Sequence, residues 1–368
     1  MSQPRCRGGF PPASRVALLV VLSALPVPAA HGFGHHRADG PAPNLDRLNG
    51  RLVGKVHDYT CNHGADRRIY STALGQRRDV YVYVPPGYDP TKRYPLVIWL
   101  HGLAQDEKTF LEFVDVFDRG IATGSLPKCV IVAPDGTVDG RASLRGPVTL
   151  YLNTRLGRYE DYILYDVWNL ATTNYGIRPE REAHVLVGAS MGAFGAYNLG
   201  IKHKKDFGVL VGVLPPLNLR YADCRGRYHT NFDPNCFGTA TEYRPNEVLA
   251  RFGPLGIVKV RQRDLLGAAF GGEPDVVARI AAENPAEMIF QYDVRPGEFE
   301  MFAGYAQCDE FNFDAQTESF AALARGKGLT VHTVMVPGGK HNRETGLALL
   351  PEFQEWIRPR LAPYAPKD

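Results

Sequence analysis

The 368-residue sequence predicts an α/β fold, a mostly parallel, doubly wound sheet with helices on both faces. Three observations carry that expectation. Strand-like apolar runs recur at 79–84, 96–100, 130–133, 184–187, 209–214, 300–304 and 330–336. The central runs are continuous and not alternating, as parallel strands covered on both faces require. Amphipathic stretches fall between them, and sheets of this kind bind ligands at the carboxyl ends of their strands.

Taken in order, the chain opens with a segment outside the fold. Arg5, Arg7 and Arg15 make a basic start, 16–22 is a short apolar core, and Val27-Pro28-Ala29 supplies small residues at a cleavage site. Residues 1–29 therefore read as a secretory signal peptide, the apolar core falling well short of the roughly 20 residues a bilayer demands. Residues 30–50, rich in Gly, Pro, His and Ala, read as a flexible segment, with His35 and His36 in a solvated tail. The expected destination is secreted or periplasmic, and the expected catalytic domain spans 51–360. Hydrophobic content of 44% and charged content of 22% are those of a globular domain. A net charge of +3 without a Lys/Arg block argues against nucleic acid as a partner, and no other stretch reads as a membrane span.

The run 78–85 alternates and ends in Pro85-Pro86-Gly87-Tyr88, which suits an early hairpin strand. The strand 96–100 leads into His101-Gly102-Leu103, where a turn can present a backbone N–H. The stretch 107–121 places Phe110, Phe113, Val114 and Phe117 on one helix face, and 159–175 does the same with Ile163, Val167 and Leu170. Next comes the most informative feature, Gly188-Ala189-Ser190-Met191-Gly192 directly after the apolar run 184–187. Strand, Gly-x-Ser-x-Gly and helix in succession form a nucleophile elbow. The turn is so sharp that side chains at the flanking glycines would collide with neighbouring backbone. The helix beginning at Met191 aims N–H groups and its positive dipole end at a developing oxyanion.

A serine hydroxyl needs a base and a group that orients the base, and elbow proteins carry them in the order serine, acid, histidine. His341 follows the last strand in Pro337-Gly338-Gly339-Lys340-His341 and is the expected base, whereas His332 lies within that strand. The acid is expected after 300–304, in Gln307-Cys308-Asp309-Glu310, where Asp309 is favoured and Glu310 and Asp314 stay open. The oxyanion donors are expected to be the N–H groups of Leu103 and Met191, with His101 fixing its own loop by hydrogen bonding. Helices are expected over 314–325 and over 344–357, where Pro351 should kink or split the second.

Residues 215–296 carry few strand signals but contain helical runs at 246–252 and 273–283. They read as a cap-like insertion after the nucleophile region that walls the substrate, or else as a small domain without a catalytic role. Asp135, Arg145, Tyr151 and Asn153 are candidate pocket residues and equally readable as turn or loop residues. Export favours disulfides. Of six cysteines, Cys6 leaves with the leader, so an odd count remains. Cys224 and Cys236 are the first choice for a bridge, Cys61 and Cys308 a second, and Cys129 reads as a buried thiol.

Together, the strand before His101-Gly102-Leu103, the Gly188–Gly192 elbow, Asp309-Glu310-Phe311 and Gly339-Lys340-His341 resemble the esterase D-like "Putative esterase" family. That family is similar to S-formylglutathione hydrolases, feruloyl and acetylxylan esterases, enterochelin esterases and mycolyltransferases. The resemblance covers roughly 78–357 and implies an α/β-hydrolase fold. It also implies a Ser190, Asp309 and His341 triad with the N–H groups of Leu103 and Met191 as the oxyanion hole. The spacing from Gly304 to Asp309 is longer than the family's short Gly-x-x-Asp form, which keeps Glu310 in contention. The expectation is a serine carboxylic-ester hydrolase acting on a small-molecule or carbohydrate ester, with no metal or organic cofactor. Transfer of the acyl group to a sugar, a noncatalytic binding role and peptidase activity are the alternatives.

Overall fold

A computed structural model describes residues 42–367 apart from 144–145, 253–256 and 273. The expected leader 1–29 and Arg145 lie outside the described residues. Eight strands form the central sheet. They are β1 (Lys55–Tyr59), β2 (Val80–Val84), β3 (Leu96–Leu100), β4 (Val130–Pro134), β5 (His184–Ala189), β6 (Val209–Val213), β7 (Glu300–Ala306) and β8 (His332–Val336). Their spatial order is β1-β2-β4-β3-β5-β6-β7-β8. β2 runs antiparallel to both β1 and β4, and the other neighbours are parallel.

The strand period of two divides the core. Val97, Trp99, Val185 and Val187 face α1 (Lys108–Ala122) and α5 (Leu350–Leu361). Leu96, Ile98 and Leu186 face the side covered by α2 (Met191–Lys202) and α3 (Phe313–Gly326). The doubly wound expectation therefore holds, and the site falls at the carboxyl ends of β3, β5, β7 and β8.

Several elements depart from expectation. β1 carries Lys55, His57 and Asp58 at the sheet edge and lacks the apolar run that marks its neighbours. The chain is ordered into a short helix, Leu45–Asn49, ahead of residue 51, because Leu48 is buried in the core and Asn49 exchanges hydrogen bonds with the backbone of Val56. The stretch 159–175 is helical but broken by a π-helical turn at Tyr162–Val167, which carries Asp166 to the hydroxyls of Ser71 and Thr72. Residues 246–252 do not form a helix. Val248–Phe252 is a strand paired with Val258–Arg261, and Phe252 packs on Phe311, so tertiary contacts override the helical reading. The expected helix 344–357 divides into α4 (Arg343–Ala348) and α5, so that Pro351 occupies the first turn of α5, where no N–H is required.

The Cys224–Cys236 disulfide is present, with Cα atoms 4.7 Å apart. Cys129 is a buried thiol, and burial pushes it up to about 12. Cys61 is an exposed free thiol, so the Cys61–Cys308 bridge is not made. No helix among the described residues is long and apolar enough to cross a membrane.

Candidate active site

Ser190 stands between β5 and α2 at φ 53° and ψ −115°, outside the conformations most residues adopt. Its N–H donates to the carbonyl of Val213 at 2.8 Å, which fixes the turn to β6. A Cβ on Gly188 would lie 2.2 Å from the backbone carbon of Gly192, and one on Gly192 would lie 2.0 Å from the carbonyl oxygen of Leu100. The two flanking glycines are thus demanded by backbone that passes within van der Waals contact. The strain is local and lifts the hydroxyl clear of the strand.

His341 approaches from the loop after β8. Its Nε2 lies 3.0 Å from Ser190 Oγ, and its Nδ1 lies 2.8 Å from Asp309 Oδ2. Those partners assign the tautomer: Nδ1–H donates to the carboxylate and Nε2 accepts from the hydroxyl. The other oxygen of Asp309 accepts the N–H of Phe311 at 2.8 Å. The rings of Phe311 and Phe313 meet the imidazole edge-on at 4.9 and 5.2 Å. The acid and histidine loops are joined by the N–H of Cys308 to the carbonyl of Gly339 at 2.8 Å. Asn342 then caps α4 by accepting the N–H of Thr345. His332 stacks on Phe302 within the sheet, away from Ser190.

Glu310, the rival for the acid role, does something different. Its carboxylate accepts the backbone N–H of His341 at 2.8 Å and does not meet the ring. Asp314 is half-buried beside Asp309, and loss of hydration together with the Asp309 charge pushes it up to about 7. Of these three carboxylates, only Asp309 is hydrogen-bonded to the imidazole.

The loop after β3 crosses above the elbow. His101 Nε2 accepts the N–H of Gly136 at 2.8 Å and its Nδ1 lies 2.9 Å from the Gly102 carbonyl, so the ring holds the loop. Gln105 accepts the N–H of Gly102, and Ala104 takes φ 61°. Leu103 lines the cavity that holds Ser190, Met191 follows Ser190 at the start of α2, and neither N–H donates to a protein acceptor among the described residues.

Beside Ser190 opens a cavity of about 670 Å³. Trp99, Val187 and Val211 floor it, and Phe113 and Phe117 of α1 and Phe353 of α5 wall it. No described residue of 215–296 lines it, so that segment does not form the expected substrate wall. It braces the acid loop instead: the Tyr228 hydroxyl donates to the carbonyl of Phe311 and accepts from Gln316 Nε2 at 2.8 Å. Asp135, Tyr151 and Asn153 also stay out of the cavity. Asp135 pairs with buried Arg78 at 2.6 Å, the Tyr151 hydroxyl donates to the carbonyl of His101, and Asn153 accepts the N–H of Asp161.

With this geometry in view, the "Putative esterase" family profile matches residues 71–360 of the chain. The chain belongs to that family. Esterase Rv1288 of Mycobacterium tuberculosis is 25% identical over 285 residues, covering 74% of this esterase-family chain and 54% of that protein. The chain thus spans about half the length of the curated relatives it matches. Among solved structures, a ferulic acid esterase superposes with a TM-score of 0.60 at 16% identity, covering 84% of this chain and 100% of the other. An S-formylglutathione hydrolase from Agrobacterium tumefaciens gives 0.57 at 15% identity, covering 84% and 96%. The fold of this esterase-family member is that of the α/β-hydrolases. Sequence reasoning missed two of its site-bracing residues, Glu310 as a backbone acceptor and Tyr228 as a brace, and no local pattern marks either one.

Proposed function

We propose that the chain hydrolyses carboxylic esters through an acyl-enzyme on Ser190, with His341 as base and Asp309 as its orienting acid. The observation that carries this reading is the line of contacts from Asp309 Oδ2 through His341 to Ser190 Oγ, at 2.8 and 3.0 Å. Membership of the esterase family supports it.

His341 Nε2 takes the hydroxyl proton as Oγ attacks the ester carbonyl, and Asp309 stabilises the imidazolium that forms. The carbonyl oxygen, now negative, accepts from the N–H groups of Leu103 and Met191, each contributing about 3 kcal/mol in sites of this type. The imidazolium returns its proton to the leaving alcohol. Water then repeats the sequence on the acyl-enzyme. We further propose that the protein acts after export, as the 16–22 apolar run and the Cys224–Cys236 bridge favour.

The test compares p-nitrophenyl acetate hydrolysis by wild type and Ser190→Ala, with fluorophosphonate labelling of both read by mass spectrometry. The expected result is a loss of at least three orders of magnitude and a single adduct confined to wild type. A Ser190→Ala protein that keeps its activity overturns the reading. An adduct without ester hydrolysis points to acyl transfer onto a carbohydrate acceptor, and neither adduct nor hydrolysis points to a binding protein.

A further inference from the structure

We infer that the cavity beside Ser190 is the acyl site and that it selects straight aliphatic acyl chains of about eight carbons over acetyl and hydroxycinnamoyl groups. The inference rests on the reading of Ser190 as nucleophile. Its length follows from strand geometry. Trp99 pairs with Val187 and Val187 with Val211, so the three floor residues form one row across β3, β5 and β6. That row lies three residues below Ser190, about 10 Å at the rise of a parallel strand and close to an extended octanoyl chain.

Its chemistry follows from α1, which descends from the carboxyl end of the sheet. Lys108, Thr109 and Glu112 line the mouth, while Phe113, Val116 and Phe117 line the depth, further along the helix. The polar side chains that α1 contributes therefore lie nearer the mouth than its apolar ones. Among the cavity-lining residues of the floor, Trp99, Val187 and Val211, the Trp99 indole N–H is the one polar side-chain group, and it is a donor only. A phenolic O–H carried to that floor would meet no side-chain acceptor there and would lose its hydration without return. A methylene chain loses nothing there. An acetyl group would leave most of the 670 Å³ unused.

The inference is tested with p-nitrophenyl acetate, butyrate, octanoate and ferulate, which share a leaving group. In wild type, kcat/KM should rise by about fourfold per methylene as the chain lengthens, with octanoate above ferulate. Two variants fill the cavity. Gly346→Leu grows from α4, where an added Cβ meets Val213 at an ordinary 3.7 Å and the helix gains a better former. Val116→Phe narrows the cavity from α1, where Val116 is half-buried and lines it. In each, the octanoate-to-acetate ratio should fall at least tenfold. A flat or falling chain-length profile, a preference for ferulate, or an unchanged ratio in both variants overturns the proposal. Ser190→Ala, assayed alongside, separates the two readings: hydrolysis that persists in it removes the nucleophile assignment, whatever the profile. In that case octanoate binding, followed by tryptophan fluorescence, still judges the cavity. Binding weakened tenfold in Gly346→Leu supports it, and absence of binding to wild type overturns it.

Discussion

Glu310 accepts the backbone N–H of His341 at 2.8 Å, while its neighbour Asp309 meets the imidazole of the same histidine at 2.8 Å. Adjacent carboxylates thus hold one residue by two handles, one on the main chain and one on the ring. Only the ring contact sets the tautomer. Asp309→Asn should lower kcat by roughly 10³- to 10⁴-fold, because an amide favours the wrong imidazole tautomer. Glu310→Gln keeps an oxygen acceptor and should stay within about tenfold of wild type. Steady-state kinetics on one ester decides, and the reverse ranking would reassign the acid.

Tyr228 carries the brace from the segment after β6 to the acid loop. Its hydroxyl donates to Phe311 and its carbonyl accepts from Asn312 Nδ2 at 2.8 Å, next to the ring that meets His341. Tyr228→Phe should cost about 1–2 kcal/mol in denaturant unfolding with an unchanged m-value. An effect below a few tenths of a kcal/mol would show that the brace carries no energy.

Asp314 gives the stability a pH dependence of definite sign. Its carboxyl is held up to about 7 against an ordinary 3.8, first by burial and then by the Asp309 charge, and its Oδ1 has no hydrogen-bond partner among the described residues. The folded state therefore holds this proton between about pH 4 and 7 where the unfolded chain has released it, and folding stability falls as pH rises through that window. Asp314→Asn removes the penalty. Its stabilisation relative to wild type should be larger at pH 8 than at pH 5, by on the order of 2 kcal/mol. Thermal unfolding at the two pH values checks this, and a difference of the opposite sign would refute it.

Asp135 is a structural residue, and its loss should register in stability. Its pair with Arg78 is fully buried, and the Arg78 guanidinium also donates to the carbonyl of Thr137. Asp135→Asn leaves a buried cation without its counter-charge and should cost about 3–5 kcal/mol. Any variant that folds should retain a KM near that of wild type, since the residue does not line the cavity. A large KM change in a stable protein would contradict the structural assignment.

The parts of this protein legible in its sequence are those whose cause is local. The elbow could be read because strand, glycines, serine and helix are consecutive, and the steric demand at Gly188 and Gly192 acts within a few residues and one neighbouring strand. His341 could be read because a glycine loop follows an apolar strand. Residues 246–252 read as a helical run, but 248–252 form a strand, because that strand exists only against 258–261 and Phe311. The distinction between Asp309 and Glu310 lay beyond the sequence for the same reason. Neighbours in the chain, they differ only in where a loop more than 30 residues away presents a ring and an N–H. The cavity is wholly tertiary. Trp99, Val187, Val211 and Phe353 come from four separate elements, and each alone is an ordinary core residue. A short-range pattern in the sequence therefore determined the turn that carries Ser190, while close packing of distant elements decided which carboxylate meets the His341 ring and formed the space beside it.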